Sequence, residues 1–163
     1  MHYKIGTPGY LSIWTSKKEN GIAYYDNLFY LAKNLVPTIA RDWFHSQLYT
    51  NLYATQATAG ANFMAVSETT TTPDESWTTL TGEITTNNLA RKQANPAPTH
   101  IVGTNVSIIE TTWTPNANFP NVQVLGLFTA LSAGVLGHVG RFDQIANVVS
   151  GQAFRALATI NHG

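Results

Sequence analysis

Cysteine is absent from the 163 residues. This excludes disulfides, thiolate nucleophiles and cysteine-held metals, and it fits a reducing site of synthesis. Charge is scarce: nine Lys and Arg face nine Asp and Glu, for a formal net charge of zero and 11% charged residues, where about 25% is usual in a soluble domain. A neutral chain has no basic face for nucleic acid, and it has no excess of one sign to keep its own copies apart. The N-terminal MHYKIGTPGYLSIWTSKKENG lacks the continuous apolar core of a signal peptide, so export by that route is not expected. The sequon Asn105-Val106-Ser107 has meaning only in an exported chain. No G-x-S-x-G, P-loop or H-E-x-x-H motif occurs. The five histidines, at 2, 45, 100, 138 and 162, lack metal-ligand spacing. Neither a metal nor a cofactor is expected.

What is present is apolar and threonine-rich. The stretch VQVLGLFTALSAGVLGHVG at 122–140 approaches the roughly 20 residues a bilayer core demands. Four glycines, Gln123, Ser132 and His138 interrupt it, and it divides in the middle around small residues ending in Gly134. Two β-rich runs around a glycine-containing loop predict a hairpin rather than a spanning helix. The first run is apolar on both faces, as in a strand buried on both sides.

Residues 1–27 show no helical period and read as an extended N-terminal arm, with strand pieces near Tyr10–Trp14 and a polar turn over Lys17–Gly21. Its aromatics Tyr3, Tyr10, Trp14, Tyr24 and Tyr25 are candidate interface residues, because Tyr and Trp bury much area at low entropic cost. Residues 28–50 carry the helical signal. Pro37 disfavours a helix interior but suits a first turn, which predicts a short helix near 27–34 and a second from Pro37 to about Tyr49. Ile39, Ala40, Trp43, Phe44 and Leu48 form the apolar face of the second.

Beyond residue 51 the texture is β. Candidate strands are Asn62–Ser67, Thr81–Thr85, Thr99–Trp113, Val122–Thr129, Val135–Phe142 and Gln152–Ile160. Strands at this spacing predict a mainly β, antiparallel, jelly-roll-like β-sandwich over 28–163, including the helical segment 28–50. The stretch Ser67–Glu75 reads as a loop. Among the acids, Asp74 and Glu75 sit in a Pro-led turn, where they are expected to cap the turn or stay solvated. Glu83 is placed to pair with Arg91, and Glu110 is the remaining candidate carboxylate. A glycosidase needs two carboxylates facing each other across a cleft, and an enzyme is not expected.

The order of pieces adds a resemblance. A helix over Asn34–Leu48 is followed by NFMAVSE, then TTTTPDESWTTLTGEI, Leu89-Ala90-Arg91-Lys92, a long strand ending in ETTWT, and the pair VQVLGLFTALSAGVLGHVGRF and GQAFRALATIN. The fixed points are Pro73, Leu80, Glu83, Arg91, Gly126-Leu127-Phe128, Gly134 and Gly151. Over 34–161 this resembles small structural proteins of tailed bacteriophages, although the aromatic N-terminal arm has no counterpart. The resemblance implies a non-enzymatic virion protein, made in the host cytoplasm and carried in the virion. A capsid decoration or cement protein is the first expectation. It would contact copies of itself, as a trimer, and a major capsid or other virion protein, with no nucleic-acid or membrane partner. A tail, baseplate or fibre-adaptor component is the alternative. A carbohydrate-binding sandwich presenting Trp77 or Trp113 is a third possibility, from another class.

Overall fold

The computed structural model describes residues 10–19, 22–30, 37–40, 60–100 and 106–161, with the backbone alone at 10–19, 22–30, 100 and 161. Nine strands follow in chain order among them: β1 (Tyr10–Glu19), β2 (Ile22–Tyr30), β3 (Phe63–Ser67), β4 (Lys92–Gln93), β5 (Thr99–His100), β6 (Val106–Trp113), β7 (Phe119–Phe128), β8 (Leu136–Val148) and β9 (Phe154–Asn161). They form two sheets, ordered β2-β1-β9-β6-β5 and β4-β3-β7-β8, with every pairing antiparallel. The mainly β, sandwich-like architecture is as expected.

The segment 122–140 is a hairpin. Val124 pairs with Arg141, Leu125 with Gly140, Gly126 with Val139 and Leu127 with His138. From Val122 to Phe128 every residue of β7 is buried, because both of its faces meet apolar neighbours. Leu125 and Leu127 point into the main core with Met64, Val66, Trp113 and Phe154. Val124 and Phe128 point the other way, into a second cluster with Ala65, Leu80, Leu136 and Val139. Side chains alternate along a strand, so one apolar run feeds two cores. A register shift between Val122 and Val124 lets Val122 join Leu125 on the main-core side. Gly126 faces the second cluster, where a Cβ would meet the Phe128 ring at 3.0 Å and Leu136 at 3.1 Å. The absent side chain is the space that Phe128 fills.

Facing β7 across the main core, the five-stranded sheet offers small and large residues together. Thr111, Ala156 and Ala158 are fully buried beside Trp113 and Phe154. Trp113 and Phe154 are cross-strand partners with ring centroids 5.6 Å apart and planes at 32°, a tilted contact that aromatic pairs favour.

Several segments differ from the sequence expectation. Residues 10–19 and 22–27, read as part of an arm, are extended but paired. β1 lies between β2 and β9, with Tyr10 opposite Thr159 and Thr15 opposite Phe154. The helix expected from residue 27 is not formed at 27–30, which end β2. Local helical pattern yields there to cross-strand pairing with β1. Residues 38–40 after Pro37 are helical, and the rest of that expected helix lies outside the described residues. The candidate strand Thr81–Thr85 contributes a single bridge, Ser67 to Glu83, because Gly82 at φ 64° turns the chain. The run Thr99–Trp113 is not one strand. Thr99 pairs with Ile108 and His100 with Ser107, so the chain reverses between them. β8 runs six residues past Phe142, through exposed Asp143, Gln144 and Ile145, to buried Ala146 and Val148.

Phe154→Ala removes the partner of Trp113 from the main core and is expected to cost about 3–5 kcal/mol. Urea denaturation would measure this, and a loss below about 1 kcal/mol would mean that the aromatic pair is not central to the core.

Candidate functional site

The densest polar constellation gathers around Arg91, just before β4. Its Nε donates to Glu83 Oε1 at 2.9 Å and one Nη to Glu83 Oε2 at 2.6 Å. The other Nη donates to the carbonyls of Ala130 at 3.0 Å and Ala133 at 2.7 Å. The guanidinium carbon lies 3.4 Å from the centroid of the Phe128 ring. A planar fork with five donors suits this arrangement, where a point charge would not. The pair is largely withdrawn from solvent, with side chains 10% and 17% exposed. Loss of either partner would strand the other.

These bonds fix the connection between β7 and β8. Thr129 donates its N–H to the Val135 carbonyl, and its hydroxyl accepts the Val135 N–H at 2.9 Å. Ala133 and Gly134 both take positive φ, 54° and 77°. At Gly134 a Cβ would lie 2.8 Å from the Ala130 nitrogen, so both space and conformation require glycine. The turn holds Leu131 out, 60% exposed.

A second arginine secures the threonine-rich loop. Arg141, on β8, donates to the Thr70 carbonyl at 2.7 Å and to Gln123 Oε1 at 2.6 Å. Glu68 accepts the Asn121 N–H at 3.0 Å. Within the loop, Asp74 Oδ1 accepts the Ser76 N–H at 2.9 Å, which is the capping one of the two roles expected of it. Hydrogen bonds from the Ser76 side chain and backbone hold the Asp74 carboxyl below the usual aspartate range.

A third contact group joins the sheets along one side. β4 pairs with β3 in the four-stranded sheet, while the Asn95 N–H reaches the Glu110 carbonyl of β6 at 2.9 Å. Lys92 Nζ donates to the Thr112 carbonyl at 2.8 Å, and Trp113 Nε1 to the Ala90 carbonyl at 2.9 Å. A shallow depression of about 400 Å³ lies along this seam, lined by Asn88, Ala90, Arg91, Lys92 and Thr112–Thr114.

The carboxylates singled out from the sequence are thereby separated. Glu83 and Arg91 sit beside Phe128, on the outer side of the four-stranded sheet. Glu110 alternates with buried Ile109 and Thr111, so it lies on the outer side of the other sheet. There Arg155 holds both its oxygens, at 2.6 and 2.7 Å. Two sheets and the core between them, about 10 Å thick, part the two carboxylates, and they share no cleft. Among the described residues no group of three or more His, Asp or Glu could hold a metal. Trp113 is 2% exposed, so its ring offers no platform to a sugar, and Trp77 packs against the second cluster.

Of the candidate interface residues, Tyr10 and Trp14 lie on β1 and Tyr24 and Tyr25 on β2. Tyr10 is opposite Thr159, Trp14 is opposite Arg155, and Tyr24 is opposite Lys17. Tyr3 lies outside the described residues. The sequence pointed to the Glu83–Arg91 pair but not to the reach of Arg91 to carbonyls some 40 positions away. No local pattern encodes such a contact.

Arg91→Lys keeps the charge but loses the fork and is expected to destabilise the fold by about 2–3 kcal/mol, with the Arg91→Lys/Glu83→Gln double variant losing less than the sum of the singles. Denaturant titration of the four proteins would check both. A folded-state pKa depressed at Asp74 adds stability above the unfolded value, and that contribution is lost as pH falls through the folded value. A carbon-13 titration should therefore place the Asp74 midpoint below that of a free aspartate, and Ser76→Ala should raise it. Comparison with protein-family models, curated proteins and solved structures finds no match to this chain.

Proposed function

We propose that this chain is a non-enzymatic structural protein of a tailed-phage-like virion, most consistent with a decoration or cement role on a capsid. The observation that carries the reading is where the few charges go. Only 11% of residues are charged and the formal sum is zero. Glu83, Arg91, Glu110 and Arg155 are consumed in two ion pairs, while Lys92 and Arg141 bind backbone carbonyls. These six charges hold loops and strands together, and a formal sum of zero gives the surface little net electrostatic reason to stay apart from its own copies or from a shell. Virion subunits use repeated, symmetry-related contacts of this kind. The pattern of residues at 34–161 supports the same reading.

In this reading the partners are copies of the chain, gathered as a trimer, and a major capsid protein. Exposed Ile145 and Val149, near the end of β8, offer apolar contact positions. A tail or baseplate location is the alternative within the same class. The sugar-binding reading loses its second aromatic with the burial of Trp113.

Particles separated into tailless heads and free tails provide the test, with the chain followed by mass spectrometry. Recovery in heads at a fixed ratio to the major shell protein is the expected outcome. Recovery in tails alone would move the protein to the alternative, and absence from both would overturn the virion reading.

A further inference from the structure

We infer that β2 is a strand-addition edge, and that its occupant is β2 of a second copy, paired antiparallel across a two-fold axis. Among the described residues four strands end the two sheets: β2 and β5 in one, β4 and β8 in the other. Three of these edges are blunted in recognised ways. β4 and β5 are two residues long. β8 carries Arg141, Asp143 and two glycines, and its pairing with β7 is broken by three register shifts. β2 is nine residues long and carries fewer of these protections, a single register shift and a single charge. Its sequence, IAYYDNLFY, contains no Lys, Pro or Gly and one charge, Asp26. Aromatic and β-branched residues, the types that favour pairing, make up most of the rest.

The backbone fits the same conclusion. β2 pairs along its length with β1, from Glu19–Ile22 to Ser12–Tyr30, with a register shift that leaves Asn27 between Leu28 and Asp26. Ile22–Asp26 is therefore an uninterrupted run of about 17 Å. Among the described strands β1 is its one ladder partner. β8 comes near β1 and β2 without pairing to either. Alternate N–H and C=O groups of Ile22–Asp26 thus point away from β1, on a side where no other described strand meets them, and an added strand would pair with them. A strand laid antiparallel on a copy of itself is self-complementary about a two-fold axis, here centred on Tyr24. With a formal net charge of zero, two copies meet without net repulsion. Where copies already surround a three-fold axis, this contact would join neighbouring trimers. Self-association through β2 needs no particle, so it stands or falls separately from the virion reading.

Successive N–H groups of a strand point to opposite sides, so Tyr24→Pro and Tyr25→Pro form an internal control. One removes a bond to β1, and the other removes a group aimed at the added strand, where an edge tolerates proline. Sedimentation equilibrium of the wild-type chain should show a dimer by about 100 µM, and the proline variant that keeps its unfolding midpoint should associate at least about tenfold more weakly. Hydrogen exchange on the wild type gives a reading independent of any variant. Alternate amides within Ile22–Asp26 should gain protection as concentration rises, while those of β8 should not. A wild-type chain that stays monomeric overturns the proposal. So does a folded proline variant that associates like wild type, or protection that is independent of concentration at β2.

Discussion

The guanidinium of Arg91 is held from three directions, and the outer half of the molecule is arranged around it. Glu83 fixes its plane, the Phe128 ring covers one face, and two carbonyls of the β7–β8 turn take two more of its donors. Each contact comes from a different part of the chain. Glu83 follows the threonine-rich loop, Phe128 ends β7, and Ala130 and Ala133 lie in the turn. A charge this withdrawn from water tolerates no missing partner, so the loop, the strand end and the turn can take up only one mutual arrangement. The second cluster, with Leu80 and Phe128 among its members, is built from the same segments.

Two layers of apolar packing meet at β7, and this explains why its sequence looks like a membrane span. A strand covered on one face alternates apolar and polar residues, whereas one covered on both faces does not. The main core and the second cluster both draw on β7. The hydrophobicity of the run therefore reflects its central place between two covered faces, and the glycine at 126 reflects the room that one aromatic ring needs.

How much could be read beforehand depended on whether the signal was local. The 122–140 hairpin was legible because apolar runs, small residues and Gly134 lie together. The Asp74 turn and the Glu83–Arg91 pair were legible for the same reason. The reversal inside Thr99–Trp113 leaves no mark in the alternation, which reports which face a residue takes and not which way the chain runs. Gly103-Thr104-Asn105 was the available hint. Likewise Asn20-Gly21, a favoured pair in two-residue hairpin connections, lies between strands whose last pair is Glu19 and Ile22. It marked a hairpin where an arm was expected. The arginine contacts to Thr70, Ala130 and Ala133 depend on the finished fold and leave no trace in sequence spacing.

The placement of β9 has a consequence in time. The last of the nine described strands is inserted between the first, β1, and β6, pairing with both along most of its length. Until it is synthesised, the β1–β2 hairpin has no partner in its sheet and the inner face of Trp113 lacks Phe154. Closing so long a loop is entropically costly and slow, so the ribosome must deliver the chain through Asn161 before the larger sheet can exist. A shorter nascent chain therefore lacks the continuous ladder that ties β1 to β6.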